Sequence, residues 1–206
     1  MVMASRTQLT KEEKVRKTSE IYVRFTVMLF AIVIGFSFSL IIRPVREGGI
    51  LDVLLSPADY HLPLVSLVLS YTLIIMSFVR YIASTDKFPM RSPIRFALDI
   101  PQMFVYYVTF ASTANFANVL TLYVIIFVTH VAKTVLRRRE YPKAKELERR
   151  TGFACKLAGC VFILWIVYNG GNLFHLSKDF VEGVILLSMF ILEGYLIYKF
   201  PDEISF

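Results

Sequence analysis

The stretch IYVRFTVMLFAIVIGFSFSLII, residues 21–42, carries one charged side chain, Arg24. At about 1.5 Å per residue, a helix of this length reaches roughly 33 Å. That is enough to cross the hydrocarbon core of a bilayer, about 30 Å thick. A secretory leader has an apolar run of only about 7–15 residues followed by a small-residue cleavage site. This run is longer and has no such site, so it reads as a retained first span.

Outward from it, five further apolar segments repeat the pattern: Leu62–Ser84, Phe96–Thr113, Asn118–Leu136, Gly152–Asn169 and Phe180–Phe200. The third and fourth are not one helix. Ala97 to Leu136 would make about 60 Å, and Ala111-Ser-Thr-Ala-Asn115 offers a polar turn between them. The expected fold class is therefore all-α, a polytopic six-transmembrane-helix bundle. Residues 1–20 form an N-terminal segment, 21–200 the membrane domain and 201–206 a short tail.

Composition agrees. The chain has 206 residues, 56% of them hydrophobic and 19% charged, and a mean hydropathy of +0.58. Soluble domains run at about 45–50% apolar and 25% charged. Disordered, collagenous and disulfide-rich classes are excluded. The net charge of +7 sits beside apolar segments, which points to anionic lipid headgroups rather than nucleic acid. Cys155 and Cys160, five apart in one predicted helix, are badly placed for a disulfide.

Basic residues set the orientation. The N-terminal segment has Arg6, Lys11, Lys14, Arg16 and Lys17. The first loop has Arg43 and Arg46, and the second Lys87, Arg91 and Arg95. The third has none, the fourth has eight from Lys133 to Arg150, and the fifth has Lys178. Connections alternate between rich and poor, which places both termini in the cytoplasm, most simply at the plasma (inner) membrane. Helix punctuation is equally readable. Thr10-Lys-Glu-Glu13 is a capping box, and Ser92-Pro93 a cap with an N1 proline. Pro142 breaks the fourth helix, Asn169-Gly-Gly-Asn172 ends the fifth, and Ser177 caps the sixth. The loop Arg43–His61 is expected to lie outside the membrane, with Ile50–Leu55 as a surface-seeking apolar patch.

Polar side chains at bilayer depth are costly, so their placement is informative. The second span carries Ser66, Ser70, Ser77, Arg80 and Ser84, and the third Arg95, Asp99, Gln102, Tyr106, Thr109 and Thr113. Steps of three and four put each set on one helix face. Consecutive spans joined by a short loop pack as neighbours, so the two stripes are expected to form a polar seam. It is either interhelical glue or a water-lined path. Each span also has an ionisable residue in its cytoplasmic half: Arg24, Arg80, Asp99, His130, Lys156 and Glu193. Arg80 is the preferred partner of Asp99, with Arg95 as the local alternative. Lys156 is the candidate for Glu193. His130 is a buried hydrogen-bonding residue or a proton relay, and no metal-ligand spacing accompanies it. Pro101 should free the carbonyl of Ala97 and bend the third span. Ala31, Gly35 and Ser39 form a small-residue face that lets another helix approach closely.

Several functions are excluded by absent patterns. No helix has arginine at every third position, no Gly-rich filter is visible, and no Gly-x-Ser-x-Gly, His-Glu-x-x-His or phosphate loop occurs. The chain is therefore expected to be a non-enzymatic, channel- or transporter-like protein for a small ion or proton. Asp99 and Glu193 would bind the cation or proton, Arg80, Lys156 and His130 would tune them, and Ser70, Ser77, Gln102 and Tyr106 would line the route. The basic cluster Arg137, Arg138, Arg139, Lys143, Arg149 and Arg150 would meet anionic headgroups. No cofactor is called for, and a homo-oligomer is one expected assembly. The alternative class is a structural or assembly subunit that binds a membrane partner.

Overall fold

A computed structural model describes residues 10–55, 57–112, 115–170 and 177–199, with the side chains of 11, 40–64, 179, 193 and 196–199 outside the description. The described residues are all-helical. The helices are α1 (Lys11–Leu55), α2 (Pro57–Lys87), α3 (Pro93–Ala97), α4 (Asp99–Ala111), α5 (Phe116–Glu140), α6 (Lys145–Gly170) and α7 (Lys178–Lys199). Four stretches are long and apolar enough to cross a membrane: Glu12–Ser39, Val65–Lys87, Phe116–Glu140 and Lys145–Gly170. In α7 the described apolar run is Phe180–Leu192. Helices of this length and composition are compatible with an integral membrane protein.

The exterior agrees. Ile21, Met28, Phe36, Phe104, Val128, Ile163, Leu187 and Ile191, from α1, α4, α5, α6 and α7, are all exposed. Such an apolar girdle has no place in water and suits lipid.

Inside, aromatic rings fasten the helices. Phe30 of α1 stacks on Phe78 of α2 at 4.1 Å between centroids and meets Tyr106 of α4 edge-on at 6.3 Å. Tyr71 of α2 packs on Phe110 of α4 at 4.4 Å. Leu69, Ile74, Leu120, Tyr123, Val161 and Ile185 complete a core drawn from α2, α5, α6 and α7. The four-residue turn between α5 and α6 lays those two helices antiparallel along each other, and α4 packs chiefly on α1 and α5.

The expected punctuation is present. Thr10 Oγ1 accepts from Glu13 N at 3.3 Å, and Glu13 Oε2 accepts from Thr10 N at 2.7 Å. Ser92 caps α3, its hydroxyl accepting from Ile94 N at 3.2 Å ahead of Pro93. Ser177 Oγ accepts from Phe180 N at 3.4 Å. Asn115 Oδ1 accepts from Asn118 N at 3.3 Å and starts α5. Replacing Asn115 with alanine should therefore lower the thermal stability in detergent by about 0.5–2 kcal/mol, while Asn115→Asp, which keeps the acceptor, should change it little.

One expectation is corrected. The segment 43–61 is not a loop: α1 stays helical through Leu55, about 68 Å in all, and α2 begins at Pro57. Helical pairing satisfies the backbone within the segment itself, as any stretch near lipid requires. The side chains of Ile50–Leu55 lie outside the description. Pro101 does more than bend the third segment. The helix is interrupted at Leu98, whose N–H bonds back to the carbonyls of Ile94 and Phe96, so that a short α3 precedes α4. The small-residue face Ala31, Gly35 and Ser39 is exposed, and a Cβ built on Gly35 meets nothing within 4 Å.

Candidate functional site

The α2–α3 connection, the α5–α6 turn and the start of α1 meet at one end of the bundle, which carries most of the charge. Two buried ion pairs organise it. Arg95 and Glu140 pair at 2.6 Å with side chains only 1% and 8% exposed. Arg95 Nη2 also donates to Phe88 O at 3.0 Å, and Glu140 Oε1 accepts from Ser92 N at 3.0 Å. Tyr141 donates its hydroxyl to Pro89 O at 2.6 Å, and Ser19 of α1 accepts from Met90 N at 2.9 Å. The 88–95 connection is therefore clasped to both α5 and α1.

The second pair lies deeper. Asp99, fully buried, is ion-paired with Lys133 of α5. Lys133 Nζ also donates to Gln102 Oε1 at 2.8 Å, and Gln102 Nε2 donates to the Tyr106 hydroxyl. Lys133 sits 5.3 Å from the centre of the Tyr81 ring, in the range of a cation–π contact. Tyr81 is anchored by donating to Thr26 Oγ1 of α1 at 3.1 Å. One lysine thus gathers groups from α2, α4 and α5.

Beside this lysine opens a cavity of about 110 Å³. Ser77, Arg80, Tyr81, Gln102, Tyr106, His130, Lys133, Thr134, Arg137 and Arg150 give it polar lining. Phe30, Phe78, Phe127, Phe153 and Leu157 supply apolar wall. Its space is shared by α1, α2, α4, α5 and α6.

The residues anticipated from spacing separate into groups. Arg80, Ser77, Gln102, Tyr106 and His130 line this one cavity. Asp99 stands behind it, against Lys133. Ser70 lies elsewhere, donating to Ser66 O at 2.7 Å and sharing a hydrogen bond with the Tyr123 hydroxyl at 3.1 Å, so it ties α2 to α5. Lys156 is exposed on α6 and does not line the cavity. Glu193 is on α7, its side chain outside the described residues.

The partner expected for Asp99 is corrected: its ion pair is with Lys133, not Arg80, and Arg95 is held by Glu140. The cause is packing. The α4 helix lies along α5 more than along α2, so the base within reach comes from α5. The stripe on α3 and α4 is buried as expected at Arg95, Asp99, Gln102, Tyr106 and Thr109, but it faces α5 and α1 as well as α2. Lys133 was anticipated only as one of the loop bases. A signal for it existed: Tyr123, Ile126, His130, Lys133 and Arg137 recur at three and four along α5, the spacing of one inward face.

The basic cluster is also divided. Arg137 donates to Ser84 Oγ and lines the cavity with Arg150, itself ion-paired to Glu146. These two face inward instead of meeting headgroups. Arg138 pairs with Glu148 at 3.0 Å on the surface. Arg139, Lys143 and Arg149 are exposed. Comparison with protein-family models, curated proteins and solved structures yields no match to this chain.

Proposed function

We propose that the chain is a channel- or transporter-like membrane protein that moves a small ion or proton. In this reading it crosses the bilayer six times, with both termini and the charged end of the bundle in the cytoplasm. The observation that carries the proposal is the cavity itself. Arg80, Lys133, His130, Gln102 and Tyr106 converge on one interior space, although polar groups at bilayer depth are expensive and mark pathways. Asp99 serves as the fixed counter-charge that keeps Lys133 in place. Arg139, Lys143 and Arg149 hold the basic end against anionic lipid headgroups.

Purified protein in liposomes tests this. Asp99→Asn weakens the hold on Lys133, a charge-assisted bond of about 1.5–3 kcal/mol, and should reduce ion flux roughly tenfold or more. Gln102→Leu, which removes a neutral cavity amide, should reduce it as well. Equal flux in the wild type and in both variants, all verified as folded, sinks the proposal. The exposed Ala31, Gly35 and Ser39 face favours a second reading, that of an assembly subunit or homo-oligomer whose partner helix approaches there. A stoichiometric co-purifying partner, together with no flux by the isolated chain, would decide for it.

A further inference from the structure

We propose that the cavity holds a compact oxyanion of the phosphate class, with Arg137 as its main anchor. Among the described residues that line it, Arg80, Lys133, Arg137 and Arg150 are bases and none is a carboxylate. The acids nearby are engaged. Asp99 is paired with Lys133 and Glu140 with Arg95. Glu146 is paired with both Lys87, at 2.6 Å, and Arg150. Asp99 and Glu146 compensate Lys133 and Arg150, whereas Arg137 has no paired carboxylate among the described residues, and its charge favours an anion over a cation.

Arg137 is the distinctive member. No carboxylate pairs with it among the described residues. Its Nη1 donates to the neutral hydroxyl of Ser84, and its buried Nε–H makes no hydrogen bond. Ser84 engages Nη1, while the buried Nε–H, on the Nε–Nη2 edge, makes no hydrogen bond. That edge is a two-donor fork that matches two oxygens of a carboxylate or phosphate. A guanidinium held inside a protein without counter-charge is costly. An oxyanion against this edge supplies both the missing charge and the missing acceptors.

Size and surroundings limit the ligand. A volume of about 110 Å³ takes a phosphate- or sulfate-sized group, not a whole lipid. Phe127, Phe153 and Leu157 keep water sparse, which strengthens charge pairing. The shared chemistry belongs both to free phosphate and to the phosphate of a lipid headgroup. The inference names the ion for the proposed transport site and rests on that reading for its purpose.

The full chain is titrated with inorganic phosphate in detergent, and with short-chain phosphatidate in nanodiscs of neutral lipid. Saturable binding is expected in at least one arm: phosphate alone identifies the free anion, phosphatidate alone the headgroup. Arg137→Gln should weaken it by roughly tenfold or more, and Arg137→Lys, which keeps charge but loses the fork, should also weaken it. Lys145→Gln, exposed on α6, should bind as the wild type does. A monodisperse profile and a retained melting transition verify each fold. Absence of saturable binding by folded wild type in both arms, or equal binding by Arg137→Gln, Arg137→Lys and the wild type, overturns the assignment. Proton or cation flux that persists without phosphate binding leaves transport standing and removes the oxyanion. Phosphate binding without any flux does the reverse.

Discussion

Glu140→Ala is expected to lower the stability of the protein by about 3–5 kcal/mol, the cost of breaking a buried ion pair by removing one partner. The reason is local and compound. Arg95 is 1% exposed, so its charge cannot turn to solvent once the carboxylate is gone. Its bond to Phe88 O at 3.0 Å is neutral and supplies no counter-charge. The N–H of Ser92 loses its acceptor as well, at the point where the chain enters α3. The 88–95 connection should loosen as a unit, because Glu140 is the hub joining it to α5. Chemical denaturation in mixed micelles measures the loss, and hydrogen exchange should show residues 88–95 opening first. The double variant Arg95→Met/Glu140→Leu should recover most of the stability, since well-packed apolar replacements for a buried pair are often neutral. A Glu140→Ala protein as stable as the wild type would mean that the pair is not buried.

Lys133→Met carries the second large effect, again about 3–5 kcal/mol of lost stability, joined here to loss of transport. Asp99 is fully buried and would lose its ion-pair partner. Gln102 Oε1 would lose its donor, and with it the orientation of the amide toward Tyr106. Adding Asp99→Leu removes the stranded carboxylate and should restore much of the stability. It should not restore flux, because the cavity then lacks the lysine that Asp99 positions. This divergence separates a structural pair from a working one. Flux recovering in parallel with stability in the double variant would reduce Lys133 and Asp99 to packing elements.

Much of the helical order was legible because it depends on neighbours in the chain. The caps at Thr10, Ser92 and Ser177 bond within three residues of themselves, so the sequence contains both partners of each bond. The interruption before Pro101 follows from one missing N–H and needs no tertiary information. The buried face of α4 was legible for a similar reason, since Asp99, Gln102, Tyr106 and Thr109 follow the period of a single helix. The segment 43–61 was misread because charged and proline residues there resemble a loop, whereas local hydrogen bonding keeps the backbone helical.

The membrane character of this chain, its helical class, its capping and its inward polar stripes were determined by the sequence itself. Hydropathy, period and cap chemistry act over a few residues, within the reach of a local reading. The partners of the stripes were decided by the tertiary structure alone. Lys133 rather than Arg80 reaches Asp99, Glu140 claims Arg95, and Arg137 turns inward to Ser84. These choices depend on which helices lie side by side, and that follows from the joint packing of Phe30, Phe78, Tyr106 and their neighbours across α1, α2 and α4. No single segment contains that information, because close packing is a property of all the contributing surfaces together.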